Sequence, residues 1–385
     1  MFRTLTIGLL LLFMAAAAPA QTNGIDPALL AKAKAGDADA EFRIAIMYAR
    51  AGDHKESYRW QLIAAQNGNV EAMTIVAAAY EQGRDFQLDY GQALKWYRKA
   101  AEKGSLIAMT NVGDMYERGL GVEQDFAQAE AWYLRAAEAG DPTAENDLGA
   151  FYDVRMKNNS KAVEWYTRAA EQGDPWAEEN LAGHYYRGDG VPQDYAQSAV
   201  WYRKAAEQGL VEAQYFLASQ LSAGQGVPQN VKEAMVWFQK AAEQGDSESQ
   251  YMLGQLYEDG GMGKLVQDSG GVERLAPPEG DNAIPKDYSL ALLWYRKAAE
   301  QGNTDAQSHL GRLYEDGTGV PQDYSEAYFW ANLAAATGSS LYGGKLSEYL
   351  TADRDRIAAH LTRTDLSRVQ ERTTKWFAAH PPKTQ

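Results

Sequence analysis

One short line returns along the whole chain. Trp96-Tyr97-Arg98-Lys99-Ala100-Ala101-Glu102 is followed by Trp132-Tyr133-Leu134-Arg135-Ala136-Ala137-Glu138. It comes back at Trp165, Trp201, Trp237 (as Trp-Phe), Trp294 and Trp330 (as Trp-Ala), with a weaker first copy at Trp60. Successive spacings are 36, 36, 33, 36, 36, 57 and 36 residues, and each copy closes on a glycine, Gly68 first and Gly338 last. A period of this length means that the chain is built from small units that stack, each too small to bury its own apolar face. The 385 residues therefore need not divide into two or three ordinary globular domains.

Each unit reads as two helices. The first opens after the glycine on an Asx residue, as in Asp141-Pro142, Asp174-Pro175, Asp246 and Asn303. An Asx cap followed by proline at the first helical position is a helix start. An apolar residue, a small residue and a tyrosine follow at fixed offsets, as in Leu253-Gly254…Tyr257 and Leu310-Gly311…Tyr314. The i to i+4 spacing places Leu and Tyr on one face. Glycine there weakens the helix, and close approach by a neighbouring helix is the expected return. A tight loop follows, Gly188-Asp189-Gly190-Val191-Pro192-Gln193 or Gly317-Thr318-Gly319-Val320-Pro321-Gln322. Asp89, Asp125, Asp194, Asn230 and Asp323 then stand as N-caps with Gln or Glu three residues on, the spacing of a capping box. The second helix carries the recurring line, and Trp96, Trp132, Trp165, Trp201, Trp237, Trp294 and Trp330 are expected in the core between units.

The pattern Leu-Gly-x-x-Tyr…Gly-x-Gly-Val-Pro-Gln-Asp-Tyr…Ala-x-x-Trp-Tyr-x-Lys-Ala-Ala-Glu-x-Gly resembles the Sel-one-like repeat, a relative of the tetratricopeptide repeat. The resemblance covers residues 37–338, about eight units. It implies an all-α, right-handed α-solenoid, a superhelix of stacked helix-turn-helix repeats whose first helices line the concave face. It also implies an adaptor of the kind used in signalling, envelope assembly and host contact. Some bacterial members are cysteine-rich and are described as penicillin-binding or β-lactamase-like; this chain has no cysteine.

The ends read differently. Arg3, the apolar run Ile7–Met14 and Ala18-Pro19-Ala20 form a secretion signal over residues 1–20. The run is shorter than the roughly 20 residues that span a bilayer. An exported, periplasmic protein is expected, with full secretion the alternative. Residues 21–36 are expected to hold an N-terminal capping helix with Asp26 as N-cap and Pro27 at its first position. Residues 339–385 are expected to form a C-terminal helical cap and tail, with helices near Tyr342–His360 and Thr364–Ala379. The formal charge of −15 sets the chain against a phosphate backbone, so nucleic acid is not an expected partner.

Function is sought where the array breaks its rule. The unit at 141–173 replaces the glycine loop with Asp153-Val154-Arg155-Met156-Lys157-Asn158-Asn159-Ser160-Lys161, read as a trimmed turn or a basic patch. Asn158-Asn159-Ser160 also has sequon spacing. The 57-residue interval holds an insertion at 260–283, a flexible or irregular excursion between the helices of one unit. No catalytic motif is present: no Ser-x-x-Lys, no Gly-x-Ser-x-Gly, no Walker loop and no His-Glu-x-x-His. No cofactor or metal is expected. The expected partner is a protein or peptide held on the first helices or on the insertion. Asp114, His184, Tyr186, Phe216, Gln220, His309 and Arg312 are nominated for that role, because they lie on first helices outside the Leu/Tyr pair. An envelope enzyme of penicillin-binding or β-lactamase-like type and a structural spacer are the alternatives.

Overall fold

The computed structural model describes residues 25–84, 86–261, 265–267, 273–275, 280–341 and 345–380. The signal sequence expected at 1–20, residues 262–264, 268–272 and 276–279 of the insertion and the helix start expected at Tyr342 lie outside the described residues. A leading helix, α1 (Pro27–Lys34), is capped by the Asp26 carboxylate on Ala28 N–H. Helix pairs then follow: α2 (Ala38–Arg50) with α3 (His54–Gln66), α4 (Val70–Gln82) with α5 (Tyr90–Glu102), and α6 (Leu106–Arg118) with α7 (Phe126–Ala137). Next come α8 (Pro142–Val154) with α9 (Asn159–Glu171), α10 (Pro175–Arg187) with α11 (Tyr195–Glu207), and α12 (Val211–Ala223) with α13 (Val231–Glu243). The last pairs are α14 (Ser247–Asp259) with α15 (Tyr288–Glu300) and α16 (Thr304–Asp316) with α17 (Tyr324–Leu341), ahead of α18 (Lys345–Ala358) and α19 (Arg363–Ala379). The all-α solenoid expected from the repeat is what the chain forms. It divides into two compact units, up to Ala177 and from Glu178 onward, with the division inside α10.

Local chemistry builds each pair. Asp89, Asp125, Asp194, Asn230, Asp287 and Asp323 cap the second helices through their side-chain oxygens. The capping box is only half made. The backbone N–H of each of these caps is already taken by the carbonyl of the eleventh first-helix residue, as in Asp125 to Tyr116 at 3.0 Å and Asp323 to Tyr314 at 2.9 Å. The loop glutamine closes the corner from the other side: Gln322 Nε2 donates to the Glu315 carbonyl at 2.7 Å, and Gln124 repeats the bond to Glu117. The second loop glycine is needed for stacking. A Cβ on Gly226 would stand 2.3 Å from the Tyr195 carbonyl, at the start of the preceding second helix.

The core follows the register. The seventh residue of each first helix is buried, from Ile44 through Leu310, as are the paired alanines late in the second helices, such as Ala100-Ala101. The small residue at position eight receives an aromatic ring. A Cβ at Gly254 would lie 2.4 Å from the Tyr295 ring, and at Gly149 2.7 Å from Tyr166. Gly311 faces Ala331 instead, with its nearest contacts at 3.4 Å. Overpacking against a fully buried ring costs about 1–3 kcal/mol and outweighs the helix propensity of about 1 kcal/mol that alanine restores. Gly254→Ala is therefore expected to destabilise the chain, and Gly311→Ala to be neutral or stabilising. Urea titration followed by circular dichroism compares them; equal effects would contradict the packing argument.

The irregular places acquire definite structure. In the trimmed loop, Lys157 adopts φ 51°, taking the left-handed turn that glycine takes elsewhere. Arg155 bonds Glu117 at 2.6 Å and Lys161 reaches Tyr152 Oη at 3.2 Å, so two of the basic side chains serve packing. Asn158 of the sequon accepts from Lys161 N–H as the N-cap of α9. The insertion holds a short antiparallel hairpin, β1 (Leu265–Gln267) with β2 (Glu273–Leu275), rather than only irregular chain. Its return end is anchored: Asn282 donates to Gln229 Oε1 at 3.0 Å and accepts from Val231 N–H at 3.3 Å. At the C-terminus, α19 packs on α17, with the Arg372 guanidinium 3.7 Å above the Phe329 ring and Val369 buried beside it.

Candidate binding face

Positions three, seven and ten of the first helices from α4 onward are buried in the stack, because residues three and four apart share a face. Position ten is Met115, Phe151, Leu256 or Leu313 in four units, all buried. His184 and Gln220 occupy that same position and are each 1% exposed. Their nomination as groove residues is therefore corrected: they replace core apolar side chains. His184 Nδ1 bonds the Asp189 carbonyl at 2.8 Å, and Gln220 Nε2 donates to the Tyr195 carbonyl and to Ser198 Oγ, both at 3.3 Å. Standing outside the Leu/Tyr pair was not enough to place a residue on the open face.

The other nominees fall into separate groups. Asp114 lies in the first unit and accepts from Arg118 Nη1 at 3.0 Å. Burial raises its pKa, with Arg118 opposing. Tyr186 and Phe216 come together in the second unit, their ring centroids 6.4 Å apart. Phe216 also stacks on Tyr202 at 5.1 Å and meets Tyr215 edge-on at 5.3 Å. His309 and Arg312 form a third group with a residue the sequence did not single out. Glu258 accepts from His309 Nδ1 at 3.0 Å and from Tyr295 Oη at 2.6 Å, with Arg312 at 3.5 Å. Tyr251 completes it, its hydroxyl 3.4 Å from His309 Nε2.

Glu258 belongs to a series. The glutamate at position twelve accepts the hydroxyl of the second-helix tyrosine in three pairs: Tyr97 to Glu81, Tyr133 to Glu117 and Tyr295 to Glu258. Burial first, then the neighbouring carboxylate, raises each of these phenols above its ordinary range. Burial also pushes Glu81 up. At Glu258 burial acts the same way, but the bonds from His309 and Tyr295 and the charges of His309 and Arg312 outweigh it, and the pKa falls. The recurring Tyr-Glu pair, Tyr80-Glu81, Tyr116-Glu117 and Tyr257-Glu258, was the sequence signal for these residues.

One junction departs from the capping rule. Helix α12 starts at Leu210, which offers no side-chain cap. Glu179, on the preceding first helix, is the carboxylate on which the Ala213 N–H acts, lowering its pKa against the larger effect of burial. Burial and the nearby Glu212 charge push the Glu179 carboxyl up to about 7.

The tryptophans also need correction. Trp96, Trp237, Trp294 and Trp330 are buried, but Trp132, Trp165 and Trp201 are partly exposed. In all but the last of the seven, the cation three residues on lies over the indole: Lys99, Arg135, Arg168, Lys204, Lys240 and Lys297, at 3.7 to 4.6 Å from the ring. The next residue is the deeper one, with Tyr97, Tyr133, Tyr166, Tyr202, Phe238 and Tyr295 all buried. One helical step turns the side chain by about 100°, from the edge of the stack to its middle.

The Sel1 repeat model matches residues 70–105, 106–141, 142–174, 177–210, 211–246, 247–269, 279–303 and 304–339, well over half of the chain. The chain belongs to the Sel1-repeat family. Two of the matched segments, 247–269 and 279–303, are the halves of the unit that the insertion splits, and α2–α3 precede the matched residues. A Sel1 repeat protein from Oxalobacter formigenes is 31% identical with a TM-score of 0.63, over 84% of this chain and 89% of that one. The protective antigen c5321, present in uropathogenic Escherichia coli strains and displaying an SLR fold, is 26% identical with a TM-score of 0.49, over 94% of this chain and 96% of its own. No curated protein matches. Sel1-repeat proteins are generally protein-interaction scaffolds rather than enzymes. Among the described residues of this Sel1-repeat chain, no helix is long and apolar enough to cross a membrane.

Proposed function

We propose that this Sel1-repeat chain is an exported scaffold that holds a protein or peptide segment against the first helices of the unit from Glu178 onward. The observation that carries the reading is the half-buried aromatic set Tyr186, Tyr215, Phe216 and Tyr251, next to the Glu258–His309–Arg312 group. Aromatic and arginine side chains held by packed neighbours supply most of the energy in protein recognition. Their ordering cost is already met by the repeat. The export part of the reading rests on Arg3, Ile7–Met14 and Ala18-Pro19-Ala20.

A photo-crosslinking residue placed at Ser219 or Gln255, the ninth positions of α12 and α14, tests the face in envelope extract. The expected result is one shared adduct from both sites, absent from a control at Glu102 and weakened about tenfold or more by Tyr251→Ala. Adducts that form equally from Glu102, or none from either site, would sink the reading. Loss of the adduct on deleting residues 262–279 would move recognition to the insertion. Mass spectrometry of the envelope fraction checks export, with a mature N-terminus at Gln21 expected.

A further inference from the structure

The N-terminal ends of the first helices in the same unit carry an unbalanced charge. The second residue is Glu212 in α12, Glu248 in α14 and Asp305 in α16, and Glu179 stands at the fifth position of α10. These ends lie in succession. The glutamine that closes each second helix bonds the fourth residue of the preceding first helix: Gln208 to Glu178 at 2.9 Å, Gln244 to Gln214 at 3.0 Å and Gln301 to Gln250 at 2.8 Å. Asn303, the cap of α16, reaches Glu248 on α14 at 2.9 Å.

A helix start favours a negative side chain by about 0.3–1 kcal/mol but does not demand one. In the other unit the second position is Asp39, Glu71, Ile107 and Thr143. Helices α12 and α14 contain no lysine or arginine. Arg187 of α10 and Arg312 of α16 stand further along their helices and are engaged, with Asp189 at 2.6 Å and Glu258 at 3.5 Å. Among the described residues, no lysine or arginine pairs with Glu179, Glu212, Glu248 or Asp305. The neighbours feel that charge. Burial first, then Asp246 and Asp305, raises the Glu248 carboxyl above its ordinary range against the Asn303 amide. Burial first, and Glu248 among the carboxylates, also raises the phenols of Tyr215 and Tyr251, so the aromatic set adjoins the acidic row.

We infer that the segment held on the first-helix face is basic: its lysine or arginine side chains pair with Glu179, Glu212, Glu248 and Asp305 while its apolar residues rest on the adjoining aromatic set. The inference rests on the scaffold reading above and adds the partner's charge. Each cation that docks relieves repulsion between carboxylates as well as making its own pair, which an isolated surface ion pair does not do. The stems of lysine and arginine can also lie along the tyrosine rings. A second copy of this chain, with a formal charge of −15, is a poor occupant.

Two labelled synthetic peptides test the inference on the full chain. One repeats leucine, serine and lysine; the other has glutamate in place of lysine. Fluorescence anisotropy should show the lysine peptide binding about tenfold tighter or more. The triple variant E212Q/E248Q/D305N should weaken that binding about tenfold, whereas E348Q/D355N/E371Q, the same change of charge at exposed positions of α18 and α19, should alter it less than about twofold. If the first triple melts early, E212Q and E248Q replace it singly, each expected to weaken binding about two- to threefold. Equal binding of the two peptides, or equal weakening by both triples, overturns the inference. So does an envelope adduct at Ser219 or Gln255 that the first triple leaves unchanged, a result that keeps the scaffold reading. Lysine-peptide binding as expected with no envelope adduct would support the charge preference of the face and sink the scaffold reading.

Discussion

Replacing Phe238 by alanine should destabilise the chain by about 3–5 kcal/mol, the range for truncating a fully buried aromatic. Phe238 is 0% exposed and sits among Leu217, Leu221, Leu253 and Trp237 in one continuous core cluster. The cavity cannot collapse easily, because helices of the neighbouring pairs hold its walls. Trp201→Ala should cost clearly less, about 1–2 kcal/mol, despite the larger ring. Trp201 is partly exposed, and the surface it loses is shared with the Lys204 ammonium 3.7 Å above it. Urea titrations of the two variants decide the order. A Trp201 variant as weak as the Phe238 variant would mean that the tryptophans, not the residues after them, hold the repeats together.

Glu179→Gln should stabilise the chain at pH 8 and have little effect at pH 5. The folded carboxyl is pushed up to about 7, from an ordinary value of 4.5, because burial and Glu212 disfavour its charge. Between those two values the folded chain holds the proton and the unfolded chain has released it. Stability from this group is complete below about pH 4.5 and is lost as pH rises to about 7. Glutamine keeps an acceptor oxygen for the Ala213 N–H and carries no charge at any pH. Allowing for partial exposure, the gain at pH 8 should be about 2 kcal/mol. Equilibrium unfolding of both proteins at the two pH values measures it. An equal offset at both pH values, or none at pH 8, would refute the raised titration of Glu179.

Much of the fold could be read along the chain because the signals are local. An aspartate caps the second helix whose start it marks, and a glycine turns the loop that it opens. The period then requires stacking. The candidate face was less legible. Tyr186 and Phe216 were found together, and His309 with Arg312, but their organising residue Glu258 is 51 positions from His309. Nothing within a helical turn of His309 announces that partner. His184 and Gln220 were misplaced because they were chosen for lying on first helices outside the Leu/Tyr pair, whereas position ten, which they fill, is buried in their units.

The unit, its two helices, most of their caps and the family could be read along the chain, since each depends on contacts within a few residues or on a repeated pattern. Packing between helices settled which of two adjacent aromatics fills the core and which glycine meets a ring. It also covered Phe329 with α19 and left Val200, Val236 and Leu293, at the same register position, open. Those outcomes depend on what the next helix places opposite a side chain, and that helix lies tens of residues away.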